Sequence, residues 1–167
     1  GVSVGDGVMV AAHATFTDDF YPRACVNDLT ALRPSEVDQH TTFTTVQDGV
    51  TIGASATIGS DLVIGRFAMV GMGSVVTRSI PAYTLVLGNP ARSVSLVCRC
   101  GRPFLNLLDG TPTDGTYSCS ICRIDYTVVD GQVVHDPLDD VVPVPRPPTY
   151  GGGFPEGDPD TATELAG

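Results

Sequence analysis

Aliphatic residues recur at every sixth position through the middle of the chain. The unbroken series is Val46, Ile52, Ile58, Ile64, Val70 and Val76. Small or aliphatic residues recur four positions later, at Val50, Ala56, Leu62, Ala68, Ser74 and Ile80. Neither an α-helix nor a plain alternating strand has a period of six. A short strand followed by a sharp turn, with three such units to each coil of 18 residues, does have it. The pattern therefore predicts an all-β fold, a parallel β-helix of hexapeptide repeats.

An earlier stretch with the same period predicts a further coil. Its aliphatic positions are Val4, Val10 and Phe16. About three coils follow, at residues 4–21, 46–63 and 64–81, which is close to the minimum that a stacked repeat needs. A small β-sandwich with glycine-rich turns is the alternative. Residues 17–45 lack the period, and we predict that they form an inserted loop of the kind that commonly carries function.

Composition and charge limit the classes of protein that fit. Hydrophobic residues make up 42% of the 167 residues, but aromatic residues only 7%, so the core must be aliphatic. The formal net charge of −10 argues against a nucleic-acid partner. No apolar run is long enough for a membrane span and no signal peptide is visible, which favours a cytoplasmic protein. Because the chain starts at Gly1 inside a repeat, we expect further residues before it.

Two segments resemble a known family. Residues 70–94, VGMGSVVTRSIPAYTLVLGNPARSV, resemble the terminal coil of hexapeptide-repeat acyltransferases, whose final turn typically contains GNPA. Residues 8–24, VMVAAHATFTDDFYPRA, resemble a loop of N-acetyltransferases that act on nucleotide-linked 3-amino sugars. The resemblance covers roughly residues 2–96. It implies a left-handed β-helix, a homotrimer and acetyl-CoA bound in the cleft between neighbouring subunits.

The resemblance also implies roles for the loop. Asp18 stands where the family has an Asn close to the CoA sulfur and the attacking amine, and it is the candidate proton acceptor or amine contact. In the next coil Ser55 replaces another frequent Asn. By the same resemblance, the sugar or nucleotide is positioned by Asp19, Tyr21 and Arg23, for which packing within the loop is the alternative.

Two histidines are further candidates for the general base. His13 lies one hexad before the loop and three positions after the inward Val10, so its side chain is expected to face outward, as a base or a substrate contact. A surface histidine is the alternative. His40 lies in the loop, on no recognisable motif.

Amide formation from a thioester needs an oriented carbonyl and hydrogen-bond donors for the oxyanion. Backbone N–H groups at the coil corners are the predicted donors, and small residues there let a pantetheine arm approach closely. Two arginines near the last coil are placed to meet the phosphates of CoA. The predicted cofactor-binding residues are Gly53, Ala54, Gly71, Met72, Arg78, Asn89, Pro90 and Arg92.

Four of the five cysteines form two close pairs, CRCG and CSIC, 18 residues apart. They are Cys98, Cys100, Cys119 and Cys122. This spacing predicts a zinc-ribbon-like module at residues 96–136 with four thiolate ligands, and disulfides are the alternative. Since protein ligands fill all four positions, the zinc is expected to be structural. Within the module, residues 126–135 predict a hairpin that turns at Asp130 and Gly131.

The chain thus divides into three predicted parts. An acetyltransferase β-helix occupies residues 1–95, the zinc module follows at 96–136, and a tail rich in Pro, Gly and acidic residues at 137–167 is expected to be disordered. The predicted function is acetyl-CoA-dependent N-acetylation of a UDP- or dTDP-linked amino sugar. An O- or N-acetyltransferase for another small acceptor and a non-catalytic β-helix scaffold remain as alternatives.

Overall fold

The computed structural model describes residues 1–34, 41–110, 112–137 and 139, and in this part of the chain all regular structure is β-strand. Three coils of three strands each come first, as the repeat predicts. The first coil contains β1 (Val2–Val4), β2 (Met9–Val10) and β3 (Thr15–Phe16). The second contains β4 (Thr44–Val46), β5 (Thr51–Ile52) and β6 (Thr57–Ile58). The third contains β7 (Val63–Ile64), β8 (Met69–Val70) and β9 (Val75–Val76).

Equivalent strands of successive coils pair in parallel and in register. The first sheet has the order β1-β4-β7 and the third has β3-β6-β9, while β2, β5 and β8 stack in the second. Three parallel sheets around one core are typical of a left-handed β-helix. The predicted hexapeptide-repeat β-helix is thereby confirmed.

The core consists of the residues that define the period. All six aliphatic positions from Val46 to Val76 are at most 1% exposed, and the small or aliphatic residues four places later are at most 8% exposed. Full burial of one such aliphatic side chain stabilises the fold by roughly 1.5–3 kcal/mol. In the first coil Val4 and Val10 remain 54% and 47% exposed, because this coil packs against a neighbouring coil on one side.

Most of the coil corners use one backbone conformation. After seven of the nine inward residues the third residue has a φ between 54° and 68°, at Gly7, His13, Gly49, Ser55, Asp61, Phe67 and Gly73. The glycines that directly follow the aliphatic residues lie outside this left-handed region. Gly53 is needed for a different reason: a Cβ there would lie 2.5 Å from the Met72 nitrogen of the next coil. Close stacking of the coils, rather than turn geometry, excludes a side chain at this position.

The second sheet continues beyond the coils. Ile80 forms a parallel bridge with Ile64, and β10 (Thr84–Leu87) pairs in parallel with β8 at the start of a fourth turn. The strands β11 (Arg92–Val97) and β12 (Pro103–Asn106) then add to it in antiparallel orientation. One six-stranded sheet therefore runs from the first coil into the cysteine-containing segment, and β11 crosses residue 95.

A separate antiparallel sheet completes the cysteine module. It consists of β13 (Gly115–Ser118), β14 (Asp125–Val129) and β15 (Gln132–His135). The predicted hairpin is confirmed, since β14 and β15 pair across Asp130 and Gly131. Both turn residues have positive φ, as a type I′ turn requires.

The inserted loop leaves the β-helix after β3 and returns at β4. Antiparallel bridges join Asp19 to Thr41 at its base and Cys25 to Leu32 further out. His40 lies outside the described residues. So does the predicted tail, apart from Pro137 and Asp139. Nowhere in the described ranges is there a helix of the length and hydropathy that a membrane span demands.

Candidate functional site

One edge of the β-helix stacks three equivalent corners between the second and third sheets. We call residues 11–13, 53–55 and 71–73 the stacked corner. Backbone hydrogen bonds join its three levels: the Ser55 N–H donates to the Ala12 carbonyl at 3.0 Å, and the Gly73 N–H donates to the Ala54 carbonyl at 2.8 Å. His13 is exposed at one end of this column. The fold thus places His13 beside four of the predicted cofactor-binding residues.

The backbone donors of the stacked corner are not equally available. The Gly53 N–H donates to the Val70 carbonyl at 2.8 Å, and the Gly71 N–H donates to the Val86 carbonyl at 2.9 Å. Both bonds belong to the ladder between coils, so neither group is available for an oxyanion. For Ala54 and Met72, the described part of the chain offers no such backbone acceptor. Of the four predicted residues, these two therefore have the N–H groups suited to bind a developing negative charge.

The two arginines that are predicted to bind the phosphates of CoA line the same hollow. Arg78 and Arg92 line one hollow of about 180 Å³ at the end of the third coil. Hydroxyl-bearing residues of the same wall include Thr77, Ser79 and Ser93. Among the residues described, neither arginine is in an ion pair, and Arg92 donates to the Ala91 carbonyl at 2.9 Å. Two unneutralised guanidinium groups with nearby hydroxyl groups suit the binding of phosphate oxygens.

The GNPA turn reaches this hollow through Ala91. The Val75 N–H donates to the Gly88 carbonyl at 2.9 Å, and the Ala91 N–H donates to the Val75 carbonyl at 2.8 Å. The segment that carries Asn89 and Pro90 is thereby fixed against β9. The GNPA turn follows β10, which neighbours β8 in the second sheet, just as the corners at 53–55 and 71–73 follow β5 and β8.

Asp18 and His13 lie at opposite ends of β3. The Asp18 carbonyl accepts hydrogen bonds from the Thr42 N–H at 3.2 Å and the Thr42 hydroxyl at 2.8 Å, which fixes the backbone where the loop begins. The Asp18 carboxylate is exposed. Within the described residues no hydrogen bond or ion pair joins Asp18 to His13, so the two side chains do not form a catalytic pair with each other.

The three predicted substrate contacts are all exposed on the inserted loop. Tyr21 is 80% exposed, with its ring edge-on to Phe20 at 5.0 Å between centroids. Arg23 donates to the Pro22 carbonyl at 3.0 Å, and Asp19 lies in the bridge at the base of the loop. Their exposure leaves them available to a ligand.

The four clustered cysteines have the geometry of a metal site. Their sulfur atoms all lie within 4.8 Å of one another, with 3.1 Å between Cys98 and Cys122 and 3.7 Å between Cys100 and Cys119. All four are free thiols, whereas a disulfide requires about 2.05 Å. A tetrahedral zinc ion with Zn–S bonds of about 2.3 Å sets sulfur–sulfur distances of roughly 3.8 Å. The residues present therefore fit zinc.

The two cysteine turns differ in length. In the first, the Gly101 N–H donates to the Cys98 carbonyl at 2.8 Å, and Gly101 has a φ of +80°. In the second, the Arg123 N–H donates to the Cys119 carbonyl at 3.0 Å, one residue further along the chain. The tighter first turn explains how a pair of cysteines with one intervening residue still converges on the other pair.

Local hydrogen bonds favour the thiolate at one of these cysteines. Backbone N–H groups of Cys122 and Ile121 lower the pKa of the Cys119 thiol. Burial raises the pKa of the Cys98 thiol, which accepts a hydrogen bond from the Tyr126 hydroxyl at 3.1 Å. Burial also raises the pKa of Tyr126, so this hydroxyl stays a donor.

A buried carboxylate connects the cysteine module to the last coil. Asp136 is fully buried, accepts a hydrogen bond from the Tyr83 hydroxyl at 2.6 Å and is ion-paired with the Arg99 Nε. Asp139 adds a bidentate pair with Arg66, both contacts at 2.6 Å. We call these five residues the aspartate clamp. Sequence reasoning missed the clamp, because neither aspartate lies in a recognisable motif.

Comparisons with known proteins bear on the repeat region. No family model matches the chain. It is 54% identical over 57 residues to the dTDP-3-amino-3,6-dideoxy-alpha-D-galactopyranose 3-N-acetyltransferase of Aneurinibacillus thermoaerophilus, which covers 34% of this chain and 30% of that protein. It is 44% identical over 50 residues to the serine acetyltransferase of Haemophilus influenzae, covering 30% and 19%. The fold also superposes on the crystal structure of a maltose O-acetyltransferase from Clostridium difficile 630, with 27% identity and a TM-score of 0.48. The superposition covers 58% of this chain and 49% of that chain.

The hexapeptide period, the three parallel sheets and the sequence matches agree. Over its repeat region the chain is similar to hexapeptide-repeat acyltransferases. It spans 30% or less of the length of the first curated relatives that it matches.

Proposed function

We propose that this chain is part of an acetyl-CoA-dependent N-acetyltransferase whose acceptor is a UDP- or dTDP-linked amino sugar. The 54% identity to a dTDP-3-amino-sugar N-acetyltransferase carries the proposal. The exposed TFTDDFYPR segment supports it, since Asp18 and the three candidate sugar contacts lie on one loop beside the first coil.

In the proposed reaction the acceptor amine attacks the thioester carbonyl, an N–C bond forms and the C–S bond breaks. The N–H groups of Ala54 and Met72 bind the oxyanion, and Arg78 and Arg92 hold the phosphates of the cosubstrate. His13 takes the proton that the amine loses, and this proton then neutralises the leaving thiolate. Asp18 orients the amine by accepting a hydrogen bond from it. Positioning and preorganised donors of this kind account for most of the rate in such transfers.

The assembly and the metal are further parts of the proposal. The enzyme is a homotrimer in which a neighbouring subunit completes each cleft, and one structural zinc ion is bound by Cys98, Cys100, Cys119 and Cys122. Reduced thiolate ligands and an acetyl-CoA cosubstrate suit the cytoplasm. Neither nucleic acid nor a membrane is a partner.

Acetyl-CoA binding and acceptor choice test the function. Calorimetry on zinc-replete full-length protein, with mass from light scattering in the same sample, is expected to show one binding site per subunit of a trimer. A panel of UDP- and dTDP-linked amino sugars, free amino sugars, serine and maltose is then assayed for acetyl transfer. We expect transfer to a nucleotide-linked amine.

Two other results would reject the proposal. Transfer only to serine, maltose or a free sugar would establish an acetyltransferase with another acceptor, a possibility that the serine acetyltransferase match keeps open. A trimer that binds no acetyl-CoA at millimolar concentration would instead identify a scaffold.

A further inference from the structure

The inserted loop forms an open hollow of about 810 Å³ that is lined by loop residues alone. A small hairpin builds it: Cys25 forms an antiparallel bridge with Leu32, and the Arg33 N–H donates to the Ala24 carbonyl at 3.0 Å. Arg33 directly follows Leu32, and Arg23 lies two residues before Cys25. The hairpin therefore brings two arginines that are ten positions apart in sequence to the wall of one hollow.

Both guanidinium groups are fixed by hydrogen bonds to the backbone of the loop. Arg33 donates from Nη1 to the Tyr21 carbonyl at 3.2 Å, and Arg23 donates from Nη1 to the Pro22 carbonyl at 3.0 Å. These carbonyls belong to consecutive residues. Among the described residues that line the hollow there is no carboxylate, and neither arginine is in an ion pair with any described residue. Two like charges that no acid neutralises favour a bound anion.

The rest of the wall is mainly apolar. Ala24, Val26 and Leu29 contribute to it, and Asn27 adds an amide. Leu29 is 80% exposed, so a ligand that covers it gains the free energy of apolar burial. The hollow thus combines a pair of planar cations with an apolar wall. A nucleoside diphosphate, with charged phosphates next to a flat base and a sugar, has matching chemistry.

We propose that Arg33, together with Arg23, binds the diphosphate of the nucleotide-linked acceptor in this hollow. The inference rests on the proposed function and deepens it. It assigns the preference for a nucleotide-linked sugar over the free sugar to a residue that lies outside the segments that resemble the family. Arg33 is a specificity-determining residue in this proposal and takes no part in the chemical step.

Kinetics and binding on the full chain test the role of Arg33. Arg33→Ala is expected to raise KM for the nucleotide-linked amino sugar at least tenfold, with kcat and KM for acetyl-CoA unchanged. Arg33→Lys should lie between, because a point charge replaces a bidentate donor. Calorimetry with dTDP and with UDP, without cosubstrate, should show the same weakening. Arg102→Ala, which removes an exposed arginine of the cysteine module, is the matched control.

The outcomes separate this inference from the proposed function. If the wild type acetylates a sugar nucleotide and Arg33→Ala leaves its KM unchanged while circular dichroism shows an intact fold, the inference is wrong and the function stands. If the wild type acetylates no sugar nucleotide yet binds dTDP or UDP in a way that Arg33→Ala abolishes, the function is wrong and the anion site stands. Absence of both activity and nucleotide binding overturns both.

Discussion

At the scale of single residues, glycines of this β-helix serve two different purposes. Gly73 has a φ of +67° and nothing within 4 Å of the place where a Cβ would be, so its role is conformational. Gly53 has ordinary φ but lies against the backbone of the next coil. A side chain at Gly73 strains the backbone, whereas a side chain at Gly53 separates two coils.

This difference predicts unequal costs for the same substitution. Gly73→Ala should lower the free energy of unfolding by about 1–2 kcal/mol, the cost of left-handed backbone for an L-residue. Gly53→Ala should cost about 3 kcal/mol, because backbone atoms cannot move aside as a flexible side chain does. Urea unfolding of both variants measures this, and equal costs would show that the coils separate easily at that corner.

The two candidate catalytic side chains are predicted to respond differently to substitution. His13→Ala should reduce kcat by about 10²–10⁴, the usual contribution of a general base. Asp18→Asn should keep or raise activity, because the Asn side-chain oxygen accepts the same hydrogen bond. Neither side chain is buried, so the fold should be unaffected. A loss of more than tenfold in Asp18→Asn would transfer the role of base to Asp18.

At the scale of elements, the aspartate clamp fixes the cysteine module to the last coil. Asp136→Ala leaves the Tyr83 hydroxyl and the Arg99 Nε without their buried acceptor and should lower the free energy of unfolding by about 3 kcal/mol. Asp139→Ala removes two partly exposed ion pairs, with Arg66 and with Arg99, each worth at most about 1 kcal/mol. Thermal and urea unfolding of this pair of variants decide the point. A cost for Asp136→Ala no greater than that for its control would mean that the clamp is incidental.

The coils could be predicted from sequence because every buried position repeats at a fixed spacing. The junction with the module could not be predicted. Phe67 and Tyr83 occupy corner positions, where aromatic residues give no turn signal, yet their rings stack with centroids 5.4 Å apart, and Arg99 covers Phe67 at 4.5 Å. Their docking role depends on tertiary contacts.

In the candidate site, too, the residues that belong to the repeat could be predicted, and those that depend on tertiary contacts could not. The small residues of the stacked corner and the arginine pair at its end follow from the repeat and the GNPA turn. Which N–H groups remain available depends on pairing between coils, and the Gly53 and Gly71 donors are used there. Arg33 became a candidate only once the hairpin placed it beside Arg23.

At the scale of the whole molecule, a short series of hydrogen bonds and an ion pair joins the cysteine cluster to the β-helix. The Tyr126 hydroxyl donates to the Cys98 sulfur and accepts from the Arg99 N–H, both at 3.1 Å. The Arg99 side chain then pairs with Asp136, which binds Tyr83 of the last coil. Loss of the metal should therefore destabilise the end of the β-helix that contacts the module. The inner coils should stay folded, because they have their own aliphatic core.

Zinc removal tests this arrangement. The purified chain should contain one zinc ion by elemental analysis. Cys119→Ser should lose it, while Cys25→Ser, which changes the cysteine outside the cluster, should retain it. Because structural zinc contributes about 10–16 kcal/mol of binding free energy in zinc-finger peptides, the metal-free module should unfold. Hydrogen exchange should then show lost protection at residues 98–136 and at Tyr83, with protection kept at residues 44–76. Retained protection across 98–136 without zinc would show that the aspartate clamp and the aromatic contacts hold the module unaided.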